Sequence, residues 1–205
     1  MPSGSVSSVV QGAGATFNRT VSKTVDTAAL YGDSVTPITL THGHTVTAWL
    51  KTDADTADCT LPAGHGQTSG VFDVYDVNGD IIRYGVDGTV AADHLDLDGG
   101  TGTDFPANAT EGIVVCKQQQ VNVSIDGDLA AIVAFSSDVD AHVDCQDASS
   151  DSIRPFSLAA DEPDIWDSDR KDNPYTGDPI SKALVSNGTT ADGALQILVL
   201  QDSTP

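Results

Sequence analysis

Residues 61–107 read LPAGHGQTSGVFDVYDVNGDIIRYGVDGTVAADHLDLDGGTGTDFPA, a succession of short alternating runs and glycine-bearing turns. Gly70–Asp76 alternates apolar and polar residues with the period of two that a half-buried strand requires. Asn78-Gly79 follows, and both residue types tolerate the positive φ of a two-residue hairpin turn. Ile81–Val86 then reads as the returning strand, and Asp87-Gly88 as a second turn of the same kind. Thr89–Leu97 continues as a strand with Ala91, Asp93, Leu95 and Leu97 on one side, and Gly99-Gly100 closes a third turn. Consecutive hairpins of this kind make a meander, and therefore an antiparallel sheet.

The rest of the chain repeats the pattern more loosely. Thr16–Val25 alternates strictly, and Thr36–Leu40 and Thr45–Leu50 read as strands joined by a tight turn at His42-Gly43-His44. Further strands are expected at Gly112–Cys116, Val121–Ile125 and Leu129–Phe135, the last two joined by Asp126-Gly127. Ala194–Leu200 (ALQILVL) reads as a buried strand after the turn Asn187-Gly188. Roughly ten short strands with regular turn signals and no amphipathic helix predict an all-β fold, an antiparallel β-sandwich or jelly-roll-like barrel. The expected organisation is a flexible Gly/Ser N-terminal arm over 1–15, a β-sandwich core over 16–135, an acidic, proline-bearing connection over 136–181, and a C-terminal strand within 182–205 that returns to the sheet or to a neighbour.

Charge narrows the environment. Nine Lys and Arg stand against thirty Asp and Glu, a formal net charge of -21, and only Glu111 and Glu162 are glutamates. Such a chain repels itself at low salt, whereas molar salt shortens the screening length to about 3 Å. An Asp-dense, Lys-poor surface over a core of small apolar residues is the expectation for a halophilic protein. Nucleic acid is excluded as a direct partner, because no basic patch exists to neutralise phosphates. No run reaches the roughly 18 apolar residues of a membrane span, and the first residues have neither the basic start nor the apolar core of a secretory signal. Cys59, Cys116 and Cys145 lack metal-ligand spacing and are expected as buried free thiols. Sequons occur at Asn18, Asn108, Asn122 and Asn187, as a Thr-rich chain produces by chance.

The sharpest motif is Asp96-Leu97-Asp98-Gly99-Gly100-Thr101-Gly102-Thr103-Asp104, which contains GGxGxD. Asp96, Asp98 and Asp104 offer carboxylates around a glycine turn, as calcium requires. Those sites form between successive repeats, however, and the motif occurs once, with Pro106 where a large apolar residue belongs. A plain connecting loop is therefore expected. Asp73–Asp80 has acidic spacing but is better explained as a hairpin. His42, His44, His65, His94 and His142 are the histidines to weigh for metal or catalytic roles; His42 and His44 flank a turn glycine with no carboxylate at motif spacing and read as exposed turn residues. Trp49 and Trp166 offer at most a thin aromatic platform for sugars. With no nucleophile elbow, phosphate-binding loop or dinucleotide loop, the reading is no enzyme: no catalytic, cofactor-binding or metal residues and no cofactor, calcium being the one ion considered.

The runs LPAGHGQTSGVFDVYDVNGDIIRYGVDGTV (61–90), DGGTGTDFPA (98–107) and LVSNGTTADGALQILVLQDSTP (184–205) resemble β-rich virion proteins of tailed phages and of haloarchaeal tailed viruses. The resemblance implies a capsid decoration or cement protein, made in the host cytoplasm and seated on the outer surface of a virus head. Its partners would be the major capsid protein or other virion subunits, and it would be a homo-oligomer, a trimer being one such state. A surface at -21 is repelled by packaged DNA, which favours the outer face. Ile153–Tyr175 and Val6–Val10 are the candidate shell-facing patches. The alternatives are a tail tube or tail fibre component and a calcium- or carbohydrate-binding β-module.

Overall fold

The computed structural model describes residues 6–11, 16–21, 26–31, 37–100, 105–107, 112–168 and 172–201. Among them every regular element is a strand, and no helix is long and apolar enough to cross a membrane. The chain opens with β1 (Val6–Gln11), β2 (Thr16–Val21), β3 (Asp26–Tyr31) and β4 (Ile38–Leu40). It continues through β5 (His44–Thr45), β6 (Ala48–Lys51), β7 (Thr56–Thr60), β8 (Gly70–Tyr75), β9 (Ile81–Ala91), β10 (His94–Asp98) and β11 (Val114–Lys117). It closes with β12 (Gln119–Ile125), β13 (Ala130–Ser137), β14 (Ala141–Asp147), β15 (Ser152–Leu158), β16 (Asp164–Asp167), β17 (Ile180–Asn187) and β18 (Gly193–Gln201). The all-β, antiparallel class read from the sequence is the observed class.

Two compact units share these strands. One comprises Thr41–Gln119 with Ser186–Asp192; the other comprises Met1–Leu40, Gln120–Val185 and Gly193–Pro205.

The first unit is a curled sheet in the order β5-β11-β8-β9-β10-β7-β6. Its two end strands, β5 and β6, are separated in sequence only by Val46 and Thr47. Val46 N–H donates to Ile113 O at one end of the order, and Thr47 N–H to Thr60 O at the other. One bent segment therefore joins the two ends of the order, and the sheet curls into a half-barrel. Inward-facing Trp49, Cys59, Phe72, Val74, Val86, Leu95 and Val115 fill it. In β10 the alternation is complete: Leu95 and Leu97 are buried while His94, Asp96 and Asp98 are exposed.

The Asn78-Gly79 hairpin stands where expected, with Gly79 at φ 84 and β8 and β9 antiparallel on either side. Asp87-Gly88 is not a turn. Both residues lie inside β9, and a Cβ on Gly88 would sit 2.5 Å from the Phe72 ring and 2.9 Å from Leu95. The glycine is there for close packing against the core. The actual turn comes at Ala92-Asp93, with Ala92 at φ 59. His42-Gly43-His44 is likewise not a hairpin, since β4 pairs with β18 and β5 with β11. Gly43 N–H instead donates to Thr189 O, and a Cβ there would meet Val114 at 2.6 Å.

The second unit is a two-sheet sandwich. One sheet has the order β12-β17-β14-β15, the other β16-β13-β18-β3, with β4 also on β18. Val123, Val143, Cys145 and Val185 from the first share one core with Val133, Phe135, Ile197 and Val199 from the second. Asp126-Gly127 is a turn, since Leu129 N–H and Ala130 N–H both reach Asp126 O, but it passes the chain from one sheet to the other. A Cβ on Gly127 would lie 1.9 Å from Tyr175 O. β1 and β2 pair with each other as a separate two-stranded sheet.

Three segment expectations are corrected. The stretch 136–181 is not a connection: it holds β14, β15, β16 and the start of β17. β14 is buried along its whole length; its sequence AHVDCQD alternates apolar and polar residues as a strand does, but buried His142, Asp144 and Gln146 gave it the look of an acidic connection. The expected arm over 1–15 contains β1; the remainder of that span lies outside the described residues. The single core over 16–135 is replaced by two cores, because 41–119 closes on itself.

Candidate functional site

The barrel unit buries a small polar network around one carboxylate. Asp73, on β8, is fully buried. Its Oδ1 accepts Gly85 N–H at 2.8 Å and Gln118 Nε2–H at 2.7 Å, and its Oδ2 accepts the Ser186 hydroxyl. Tyr75 OH meets the same Ser186 oxygen. A buried carboxylate needs this many donors, because an unpartnered one would cost several kcal/mol. Gly188 makes the approach of 186–192 feasible, since a Cβ there would lie 2.9 Å from the Tyr75 ring. Burial, reinforced by Asp73, raises the Tyr75 phenol far above its usual range and keeps it neutral. Ser186 is fully buried near the end of β17 and its partners are a carboxylate and a phenol, so the trio ties the 186–192 segment to β8 and is not an exposed nucleophile.

Beside this network lies a cleft of about 210 Å³ lined by Thr41, His42, Gln67, Lys117, Gln118 and Gln119. Lys117 is tied by its Nζ to Thr68 Oγ1 and Ser69 O, and Gln119 Oε1 accepts Thr41 N–H. His42, which lines the cleft, belongs to a cluster of three histidines drawn from two separate segments, 42–44 and the loop before β8. The His42 and His44 rings are 4.9 Å apart, and His44 and His65 are 6.3 Å apart, both edge-on. His65 accepts Gln67 N–H at Nδ1 and donates from Nε2 to Ala92 O, which defines a neutral tautomer. His42 Nδ1 sits 2.7 Å from Asp192 Oδ1, which also accepts the His42 N–H and whose carboxyl is held below the usual range by that pairing. Burial, and then the neighbouring His42 and His65, push His44 below its ordinary value. No group of three or more metal-binding side chains with suitable geometry occurs among the described residues.

A second cleft, of about 460 Å³, belongs to the sandwich and is lined by Arg154, Asp164, Ile165, Trp166, Asp172, Asn173 and Pro174. Arg154 Nη1 donates to Asp164 Oδ2 at 2.7 Å and to Tyr175 OH at 2.5 Å, with its guanidinium over the Phe156 and Tyr175 rings. Its charge is thus fully engaged within the fold. Trp166 is 5 % exposed and donates to Asp172 O, and Trp49 is 3 % exposed and donates to Pro106 O. Neither tryptophan presents a ring face to a sugar.

Of the candidate calcium ligands, Asp96 and Asp98 lie on the outer face of β10, and Asp98 Oδ1 accepts Gly100 N–H. Asp104 lies outside the described residues. The acidic spacing of 73–80 is divided between two tasks: Asp73 points inward, while Asp76 caps the hairpin by accepting Asn78 N–H and Asp80 N–H. His94 bonds to Asp58 at 3.1 Å, and Cys59, Cys116 and Cys145 are all buried free thiols, pushed up to about 12 chiefly by burial.

One pattern was missed in the sequence reading. Asp53, Asp76, Asp98, Asp126, Asp138, Asp140, Asp147 and Asp192 each accept a backbone N–H with a side-chain oxygen. Asp53 and several others bond one or two residues ahead, which a glutamate's longer arm does poorly. The excess of Asp over Glu is thus partly turn chemistry, and its signal was legible as Asp preceding Asn, Gly or Ser at a strand end.

No family model, curated protein or solved structure matches the chain.

Proposed function

We propose that the protein is a virion structural subunit, a capsid decoration or cement protein on the outer surface of a tailed-virus head. The observation that carries the reading is where its reactive side chains go. Asp73 and Ser186 are buried against each other, the three thiols are buried, and eight further aspartates bind backbone N–H groups, five of them within turns. A chain whose polar chemistry is consumed by its own scaffold is suited to bearing load and contacting neighbours. Its net charge of -21 suits a face turned away from packaged DNA, in a salt-rich medium that screens the charge. The partners in this reading are the major capsid protein and further copies of the same chain.

The test is to purify source particles, locate the protein on them by labelled negative stain, and strip it by lowering salt. The expected result is label on the head exterior and a lower particle melting temperature after stripping. Label along the tail, or isolated protein assembling into rings or fibres, would select the tail tube or fibre alternative. Protein that never sediments with particles would end the reading altogether.

A further inference from the structure

The open sheet edges of the sandwich differ sharply in how they are guarded. β15 carries Arg154 and Pro155, and proline has no N–H to offer a neighbour. β16 is four residues long with an aspartate at each end, and β3, at the other end of that sheet, begins with Asp26. β12, at the end of its sheet, is seven residues long, QQVNVSI, with no charge, no proline and no glycine. An unguarded edge of this length is a template for another strand. Gln120, Asn122 and Ser124 are exposed, while Val123 and Ile125 are buried.

The opposite problem sits at the start of the chain. β1 and β2 pair with each other and with no third strand among the described residues. A lone two-stranded ribbon is marginally stable in water and gains by adding to a larger sheet. β1 reads VSSVVQ, six residues, also without charge. In its own chain the ribbon does not pair with β12.

We infer that the β1–β2 hairpin of one copy adds to the β12 edge of a second copy, β1 against β12, extending that sheet by main-chain hydrogen bonds. The occupant is argued from charge. A basic partner would be drawn to the acidic surface, whereas two copies at -21 each repel wherever carboxylates meet. Two uncharged strands of matching length are the surfaces through which like-charged copies can touch. Each copy gives one hairpin and receives one, so the contact is head-to-tail and closes into a ring when the rotation permits. This assembly does not rest on the virion reading.

The experiment combines mass and cross-linking on the full chain in molar KCl. Light scattering after size exclusion is expected to give a multiple of the single-chain mass. Chains carrying Asn122→Cys are mixed with chains carrying Ser8→Cys, Val9→Cys or Val10→Cys, then dissociated, reassembled and oxidised. The native thiols are buried and stay out of the reaction. A disulfide between the two different chains in at least one pairing is the expected result. Gln120→Asp with Asn122→Asp is expected to weaken association about tenfold while the β-type circular dichroism is retained. A single-chain mass at every concentration would overturn the inference. So would Asn122→Cys chains coupling only to each other, which would mean β12 meets β12. A disulfide within one chain carrying both cysteines, with the mass unchanged, would mean that the hairpin seats on its own molecule.

Discussion

The barrel unit draws its two end strands together through Val46 and Thr47, whereas the sandwich leaves β12, β15, β16 and β3 at the ends of its sheets. The same short strands thus meet the edge problem in two ways. A curled sheet brings its end strands close and can bury a polar network such as Asp73–Ser186–Tyr75, whose donors come from distant parts of the chain. An open sandwich must protect its edges with side chains, and does so at β15 and β16 but not at β12. Closure and edge protection are alternatives, and the unprotected edge is where a partner strand is to be sought.

Each unit holds one tryptophan, Trp49 in the barrel and Trp166 in the sandwich, so W49F and W166F variants report the two units separately. The largest expected effect is Phe72→Ala, which removes a fully buried ring from the barrel and should cost about 4 kcal/mol. In urea the Trp49 transition should move to lower denaturant while that of Trp166 stays in place. Both moving together would show that the units unfold as one. Gly127→Ala is the mirror experiment. The added carbon meets backbone at Tyr175 O, where nothing can rotate away, and should cost about 3 kcal/mol, read by Trp166. Asp73→Asn should cost about 2 kcal/mol through Trp49, since one oxygen that accepts becomes an amine that cannot.

The smallest effect is in pH, and the barrel supplies both signs. His44 is held below its ordinary 6.5, so the folded state binds fewer protons than the unfolded one. Its stabilisation is present above 6.5 and is lost as pH falls toward the depressed value. His94 is raised, chiefly by its hydrogen bond to Asp58, so its contribution is present below 6.5 and fades as pH rises through its folded value. Thermal melts followed by Trp49 should show His44→Gln flattening the acid side of the profile and His94→Gln flattening the neutral side. An unchanged profile in both variants would remove these histidines from the account.

Legibility in the sequence followed the range of the forces involved. Asn78-Gly79 was readable because positive φ is a steric property of the residue itself, and Leu95 and Leu97 because an exposed strand face alternates. Asp87-Gly88 looked the same and was not a turn, since its glycine answers to Phe72 and Leu95 from neighbouring strands. β14 alternates as a strand does but was read as part of an acidic connection, because its polar positions His142, Asp144 and Gln146 look solvent-facing in sequence and are buried in the fold. The histidine cluster was half visible: His42 and His44 are adjacent by sequence, but His65 joins them from the loop before β8. The buried Asp73 had no local signal, because its donors Gly85, Gln118 and Ser186 come from elsewhere in the chain.

By itself the sequence determined the all-β class, the strongest hairpin and the net charge of -21, because alternation, turn sterics and net charge are properties of short windows or of simple sums. The tertiary structure alone decided that there are two cores, which glycines are turns and which are contacts, and which aspartates face water. Those outcomes depend on which distant strand lies against a residue, and burial sets the role of a polar group only once that neighbour is in place.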